Sequence, residues 1–287
     1  MYVYKYRGGI FILSHISPPV HSRQEEIIMH KNLKRTLYLC LLGSISAFGT
    51  TTIGMAQDVN GNDSGGVLNI STGTYDYVYG KLQTGSETEI SGGNISISGD
   101  AVIGFVYGGA ASNNTSTVHN NQVTISGSAQ VKNVYGGGGY ANHKNNHVII
   151  EGNAVILGNN GAGGVYGGIS DDMTKITTVS NNTVVIRGNA QIQGGDVYGG
   201  NGSGESNTVT IEDNTSVDGT IYGGQSIYGN TNKNIVNINN GTVHDVFGGL
   251  SLQQGTYGNS VNLRGNSKIL GDVCAGYGAN NTTIEMN

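Results

Sequence analysis

A short motif that ends in glycine recurs along most of this chain, and its spacing constrains the fold more than any other feature. The motif is Val-Tyr-Gly-Gly, with Ile for Val or Phe for Tyr in some copies. Its aromatic position is held by Tyr79, Tyr107, Tyr135, Tyr166, Tyr198, Tyr222, Phe247 and, in a degraded last copy, Cys274. The intervals are 28, 28, 31, 32, 24, 25 and 27 residues. Periods in this range indicate structural repeats that stack on one another.

Two further segments accompany each copy of the motif. Asn-x-apolar-x-apolar precedes most copies, as at 121–125 and 207–211, and a turn such as 127–128 leads into an Ala-x-Val piece at 129–131. All three segments are short, alternate apolar with polar residues and are rich in β-branched side chains, so each predicts a strand. Each unit therefore contains three short strands.

Three strand types repeated in the same order do not form hairpins easily, because each type would need its own partner. Coiling the chain lets every strand pair in parallel with its copies in the coils above and below, about 4.8 Å away. The inward residues of all coils then form one continuous core. We therefore expect an all-β fold, a single-stranded parallel β-helix with three short strands per coil and about eight coils, over residues 66–287.

The stack also accounts for a composition in which 49 of 287 residues are glycine and only 11 % are charged. Asparagine at one repeated position predicts a ladder of side-chain amides, and the repeated tyrosine predicts a file of stacked rings. The glycine pair after each tyrosine is expected to supply positive φ at a sharp corner. The inserts at 110–120, 140–145 and 169–181 vary in length, so we expect them to be exposed loops on one face.

A secretory signal peptide is predicted at residues 29–56. Lys31, Lys34 and Arg35 precede an apolar run at 37–48, and small residues lead to a cleavage site after Ala56. The run is much shorter than the roughly 20 residues that span a bilayer. Residues 1–28 are interpreted as an over-extended N-terminus ahead of a true start at residue 29, the alternative being a genuinely long signal peptide. Residues 57–65 are expected to be a short linker.

Cleavage at that site changes the charge and the cysteine count. The region 57–287 carries a formal charge of −9, compared with −5 for the whole chain. This acidic balance argues against a nucleic-acid partner, which would require a basic face. Cys274 is the one cysteine left, so an intramolecular disulfide is impossible and the stack itself must supply the stability.

The signal peptide followed by the Asn-x-Val-x-Ile and Val-Tyr-Gly-Gly coils resembles the passenger region of bacterial autotransporters and related surface adhesins. The resemblance covers about 66–287 and implies a right-handed parallel β-helix displayed outside the cell. It further implies host surface or glycan ligands as partners, and passage through the outer membrane by way of a C-terminal barrel. The sequence stops within a repeat at 280–287, as expected of a truncated gene or fragment; otherwise another subunit would cover the open edge.

Several acidic residues could carry chemistry. Asp171 and Asp172 form the acidic pair of a long insert and are interpreted as a solvated turn. Four further acids each stand one to three residues before a corner and could align along the stack: Asp196, Asp218, Asp245 and Asp272. Such a row could bind Ca²⁺, but a row of solvated like charges is the favoured interpretation.

Histidine and cysteine are the other residue types that could form a site. His143 and His147 are four residues apart, a spacing that brings two ligands together on a helix, and no helix is predicted. Cys274 replaces the corner aromatic and is expected to be a buried member of that file.

The sequence thus predicts no catalytic, cofactor-binding or metal-binding residue. We expect a secreted or cell-surface, non-enzymatic β-helical protein that acts in attachment or surface display. A polysaccharide-acting lyase or glycosidase is the alternative, and it would require acids that converge within about 6 Å, where each perturbs the ionisation of the others. An inert structural stalk is the third hypothesis.

Overall fold

The computed structural model describes residues 57–158, 163–171 and 177–277, and the strand backbone at 5–6, 9–10, 279–280 and 283–286. The chain divides into two units, Met1–Ile53 and Gly54–Asn287. The first contains a short antiparallel pair, β1 (Lys5–Tyr6) and β2 (Gly9–Ile10). The predicted signal peptide lies outside the described residues. Within the described ranges, no helix has the length and apolar character to cross a membrane.

The second unit is a β-solenoid of about seven turns, made of three parallel sheets. The first sheet contains β4 (Val67–Ile70), β7 (Asn94–Ile97), β10 (Gln122–Ile125), β13 (His147–Ile150), β17 (Thr183–Ile186), β21 (Thr208–Glu212), β24 (Ile235–Asn239), β27 (Ser260–Arg264) and β31 (Thr283–Met286). The third sheet contains β6 (Glu89–Ser91), β9 (Thr117–His119), β12 (Asn142–Lys144), β16 (Thr178–Ser180), β20 (Ser203–Glu205), β23 (Thr231–Asn232), β26 (Thr256–Tyr257) and β30 (Ala279–Asn280).

The second sheet is the longest side of each turn. It contains β3 (Gln57–Asn60), β5 (Thr74–Leu82), β8 (Val102–Ala111), β11 (Gln130–Gly139), β14 (Val155–Ile156), β15 (Gly164–Gly168), β18 (Gln191–Ile192), β19 (Asp196–Asn201), β22 (Ser216–Ser226), β25 (Thr242–Ser251), β28 (Lys268–Ile269) and β29 (Val273–Cys274). The predicted parallel β-helix is confirmed, and the eight corner motifs bound seven turns.

The core is a set of files, each made by equivalent inward residues of successive turns. Val123 pairs in register with Val148, and Ile125 with Ile150; the side chains of all four have no exposed surface. The alternation seen in the sequence places these residues inside and their neighbours outside. Burial of a Val or Ile side chain contributes about 1.5–3 kcal/mol, and each turn adds several.

The predicted asparagine ladder is present and fully buried. Its members are Asn121, Asn146, Asn182, Asn207, Asn234 and Asn259, each at most 1 % exposed. In the first five members Nδ2 donates to the Oδ1 of the next member at 2.9–3.0 Å, and that same Oδ1 also accepts the preceding member's backbone N–H. Each Nδ2 has a second acceptor, a carbonyl of the third sheet such as that of Val179 for Asn207. The ladder therefore joins successive turns and also joins two sheets.

The expectation of positive φ at the corner glycines is wrong. These glycines lie inside the strands of the second sheet, and none of them has φ in the left-handed region. A Cβ on Gly199 would lie 2.4 Å from the Gly223 carbonyl oxygen and 3.0 Å from the Cβ of Asn207. Glycine is required there because the ladder and the next turn fill the space a side chain would need.

One set of left-handed residues stands directly before the ladder. They are Asn120, Asn145, Asn181, Ser206, Lys233 and Gly258, with φ between 52° and 62°. Asparagine and glycine adopt this conformation most readily. A second set, with φ between 58° and 76°, stands between the first and second sheets: Gly99, Gly127, Gly152, Gly188, Asp213, Asn240 and Gly265. The coils therefore turn through left-handed residues at both of these corners.

The three sides of the coil differ from the three predicted pieces. The Ala-x-Val and Val-Tyr-Gly-Gly pieces belong to the same side, and β11 joins them in one continuous strand. The third side comes from the inserts predicted to be exposed loops, where Val118, Ala141 and Val179 are completely buried. That loop prediction is wrong for the ends of the inserts, which contain strands β9, β12 and β16. The solenoid also begins before residue 66, because β3, which lies within the expected linker at 57–65, pairs in parallel with β5.

Candidate functional site

The aromatic file is a continuous side-chain feature of the second sheet. From Tyr79 to Phe247, seven rings stack with centroids 4.5–5.5 Å apart and interplanar angles of 5–15°. The predicted tyrosine file is thereby confirmed. Because each ring face contacts another ring, the file offers a ligand ring edges and hydroxyl groups rather than open faces.

Burial sets the chemistry of these hydroxyl groups. It raises the pKa of Tyr79 and of Tyr135 to about 12. Burial, together with the charge of Asp196, raises the pKa of Tyr198 still further, since a phenolate beside a carboxylate is unfavourable. The Tyr198 hydroxyl donates to Asp196 Oδ2 at 3.0 Å. The file is thus a neutral, structural element at physiological pH.

Three of the four corner acids share one row of the second sheet. Thr220 pairs in register with Asp245, Asp196 precedes Val197 as Thr220 precedes Ile221, and Asp272 stands at the equivalent place in the next turn. Their oxygens bind backbone: Asp196 Oδ1 accepts the Thr220 N–H at 2.8 Å, and Asp245 Oδ1 accepts the Asp272 N–H at 2.6 Å. This second bond is the main reason that the pKa of Asp245 is lowered. Asp196 and Asp245 therefore each bind the backbone of the following turn.

The other acids do not join this row. Asp218 lies at a register shift between Val217 and Thr220 and accepts from Ser216 Oγ at 3.4 Å. Asp171 lies near the tyrosine file, and burial raises its pKa. Asp172 lies outside the described residues. Among the residues that the structure describes, no three His, Cys, Asp or Glu side chains come together in a way that could hold a metal ion.

The two histidines lie on different sheets. His143 points into the interior from β12 and has no exposed surface, whereas His147 is half-buried on β13. Burial lowers the pKa of His143 to about 4, because a charged imidazole would lose its hydration. Its Nε2 lies 3.3 Å from the Gly139 carbonyl oxygen, and its Nδ1 has no partner among the described residues. The four-residue spacing therefore does not place His143 and His147 in one site.

Cys274 continues the aromatic file in register, because it pairs with Phe247. It is half-buried rather than buried, and its Sγ lies 3.2 Å from the Gly276 carbonyl oxygen. Its place in the file is confirmed, while the expected full burial is wrong. Cys274 and Phe247 line a shallow groove of about 430 Å³ near the last described turn.

A second cavity lies at the opposite end of the stack. It measures about 330 Å³ and is lined by residues of β5, β6 and the loop between them, including Lys81 and Glu89. Sequence reasoning missed it. The signal was present, because Lys81 stands where the following copies of the motif have their second glycine.

Comparison of the chain with protein-family models, with curated proteins and with solved structures finds no match.

Proposed function

We propose that this chain is an exported β-solenoid that acts in attachment or display at the bacterial cell surface. The observation that carries the proposal is the internal stabilisation of each turn. A buried amide ladder and three parallel sheets hold the solenoid together, as a chain that retains one cysteine after export would require. The predicted signal peptide at 29–56 supports the same proposal.

The outward faces of the strands support a role in contact rather than catalysis. On the first sheet the outward positions carry short polar side chains in several turns, such as Gln122 and Thr124 on β10 and Thr208 and Thr210 on β21. Seven turns spaced about 4.8 Å apart give a face roughly 34 Å long. A long, regular, polar face suits a protein that spaces or presents contacts.

Export is tested by expressing the full chain in a Gram-negative host and measuring the mass of the product in each cell fraction. We expect a processed chain that begins at Gln57 outside the cytoplasm. Leu41→Lys interrupts the apolar run and should leave the chain unprocessed, whereas the matched variant Leu41→Ile should be processed normally. An unprocessed wild-type chain that stays in the cytoplasm would overturn the proposal.

Attachment is tested with cells that export the chain and cells that export nothing, retained on glycan-coated and bare surfaces under flow. Greater retention of the exporting cells on the coated surface is expected. Equal retention would leave a structural stalk as the function. Release of new reducing ends from a polysaccharide by the purified chain would instead support the lyase or glycosidase hypothesis.

A further inference from the structure

The asparagine ladder stops before the first turns of the solenoid. In register, Gly93 and Gly66 hold the ladder position in the two turns that precede Asn121, since each comes directly before a strand of the first sheet. The Gly93 N–H donates to Asn121 Oδ1 at 2.9 Å, so the side-chain oxygen of this first ladder asparagine still has a donor from the preceding turn. Two turns therefore have no ladder side chain.

Lys81 occupies space that the missing ladder leaves free. It pairs in register with Gly109, where a Cβ would lie 2.6 Å from the Nδ2 of Asn121. The same close approach to a ladder amide, 2.4–3.0 Å, recurs at the equivalent glycines 137, 168, 200, 224 and 249. In the turn of Lys81 the ladder residue is Gly93, and the lysine stem runs over Gly66, with Cε 3.0 Å from where a Cβ on that glycine would be. The turn that has glycine at the ladder position is thus also the turn that has lysine in place of the second corner glycine.

A cleft of about 330 Å³ lies beside Lys81, a volume at the lower end of the range of about 300–1,000 Å³ typical of ligand pockets. Its lining includes the half-buried Leu82 and the buried Ile90, together with the polar residues Ser91 and Glu89. The cleft therefore combines an apolar surface with hydrogen-bonding groups, as a site for a ring with several hydroxyl groups would.

The charges around the cleft are unequally partnered. Glu89 Oε2 lies 2.8 Å from His119 Nε2, a contact that is an ion pair only when the imidazole is protonated. Glu87 accepts from the Gly85 N–H at 2.7 Å and from the Thr84 hydroxyl at 3.1 Å. Among the described residues no carboxylate lies within ion-pairing distance of the Lys81 ammonium. Among the described residues, Lys81 is therefore the charged side chain of the cleft whose charged group has no hydrogen-bond or ion-pair partner.

The walls of the cleft are held in place by a buried amide. Gln83 is 9 % exposed. Its Nε2 donates to the Glu87 carbonyl at 2.6 Å and to Ser116 Oγ at 3.1 Å, and its Oε1 accepts the Ser112 N–H at 2.8 Å. Asn62 exchanges two hydrogen bonds with the backbone of Leu82. A preorganised site loses less entropy when it binds.

We propose that this cleft binds an acidic sugar, whose anionic group pairs with Lys81 while its hydroxyl groups bond to Glu89 and Ser91 and its apolar face covers Leu82. The inference deepens the proposed function and rests on it, because surface exposure is what brings the cleft to such sugars. A carboxylate on a pyranose ring matches one ammonium beside hydroxyl-binding groups, and a charge-assisted hydrogen bond is the strongest contact available there.

The test is calorimetric titration of the purified full chain with sialyllactose, with lactose as the uncharged match and with inorganic phosphate. Sialyllactose should bind at least about tenfold more tightly than lactose or phosphate, since one charged hydrogen bond contributes that much. Lys81→Met should remove this preference, and Lys132→Met, which replaces an exposed lysine outside the cleft, should leave it unchanged. Equal affinity for the two sugars, or an unchanged preference in Lys81→Met, would overturn the proposal, as would phosphate binding as tightly as sialyllactose.

A second variant covers the case in which Lys81→Met unfolds. Ser91→Phe leaves the lysine in place and fills the mouth of the cleft, so it should abolish sialyllactose binding while the urea midpoint stays near that of the wild type. Full binding by a folded Ser91→Phe chain would contradict the proposed location. Export is measured separately by the mass of the processed chain, so failure of display and failure of sugar binding are distinguishable.

Discussion

Two files of interior residues run side by side along this solenoid, and they are built on opposite rules. The ladder file repeats asparagine six times, and every amide is bonded to the next. The inner file of the third sheet changes residue at almost every turn, through Ile90, Val118, His143, Val179, Gly204, Thr231 and Thr256. In that file His143 Nδ1 and the hydroxyls of Thr231 and Thr256 have no partner among the described residues.

The difference shows where a stack requires identity. An amide ladder works only if both neighbours present the same donor and acceptor at the same height, so a change in one turn leaves two turns unsatisfied. An apolar file requires only that each residue fill its own space. Selection for stability can therefore fix the first file and leave the second free to vary. Four predictions test this contrast, from the largest expected effect to the smallest.

The largest effect is expected from Asn182→Ala. The change leaves the Asn146 N–H and side-chain amide without their Oδ1 acceptor. It also removes the Nδ2 donor to Asn207 Oδ1, which keeps only the backbone N–H of residue 182. Buried unsatisfied groups cost about 1–3 kcal/mol each, so the free energy of unfolding should fall by about 4 kcal/mol. Urea denaturation measures it.

The matched control for the ladder is Asn237→Ala. Asn237 accepts from Asn262 Nδ2 at 2.8 Å, but on the outer face of the first sheet, where water can replace the bond. We expect a loss below about 1 kcal/mol. Similar losses for the two variants would show that burial of the ladder is not what makes it indispensable.

The next largest effect is the pH dependence of the free energy of unfolding that arises from His143, in the inner file of the third sheet. The pKa of His143 is lowered to about 4 in the fold, from 6.5 when unfolded. The unfolded chain therefore binds more protons between these values, so the stability from a neutral His143 is complete above pH 6.5 and is lost as the pH falls to about 4. The expected loss is about 3 kcal/mol.

His143→Val copies the residues above and below it in the file, Val118 and Val179. This variant should lose most of the pH dependence of the unfolding free energy between pH 6.5 and 4 and should be no less stable than wild type at pH 7. His147→Thr, at a half-buried outward position, should retain most of that dependence. If His143→Val keeps the wild-type slope, buried His143 is not its origin.

The third prediction separates the two reasons for glycine. Gly199→Ala would place a Cβ 2.4 Å from the Gly223 carbonyl oxygen in a backbone conformation open to any residue. Gly92→Ala would meet nothing within 4 Å, but φ there is +79°. Overpacking costs about 1–3 kcal/mol and left-handed strain about 1–2 kcal/mol, so Gly199→Ala should lower the thermal midpoint more. The reverse order would restore the interpretation based on φ.

These contrasts also explain how much of the fold could be predicted from the sequence. The ladder and the aromatic file were predictable because stacking identical groups requires repeated identity, which is visible in one sequence. The third sheet was missed because its inner file changes residue at almost every turn, so that Val118, His143 and Gly204 share only a position. Its strands of two or three residues are also too short to show alternation.

The wrong prediction of φ at the corner glycines and the missed cleft in the first turns have a different cause. A glycine in the sequence reports that a side chain is excluded, but not whether φ or a neighbouring atom excludes it. Gly199 and Gly92 cannot be distinguished in the sequence. The structure shows that a neighbouring carbonyl oxygen excludes a side chain at Gly199, whereas φ disfavours one at Gly92. The cleft beside Lys81 depends on which glycine lies opposite it, namely Gly93, and that pairing follows from the register between turns. Its residues, unlike the repeat itself, carry no periodic signal.

The smallest effect is expected from Tyr198→Phe, which keeps the ring and removes the hydroxyl. Phe247 already stacks at 5.5 Å on Tyr222, so the file accepts phenylalanine and its stacking should survive. What is lost is the bond from the Tyr198 hydroxyl to Asp196 Oδ2, whose other oxygen still accepts the Thr220 N–H. A partly buried hydrogen bond contributes about 1 kcal/mol, and Tyr79→Phe, whose hydroxyl has no hydrogen bond described, should change the free energy of unfolding by less. Equal effects in urea denaturation would mean that the rings alone hold the file, and that the aromatic file, unlike the asparagine ladder, requires shape without requiring identity.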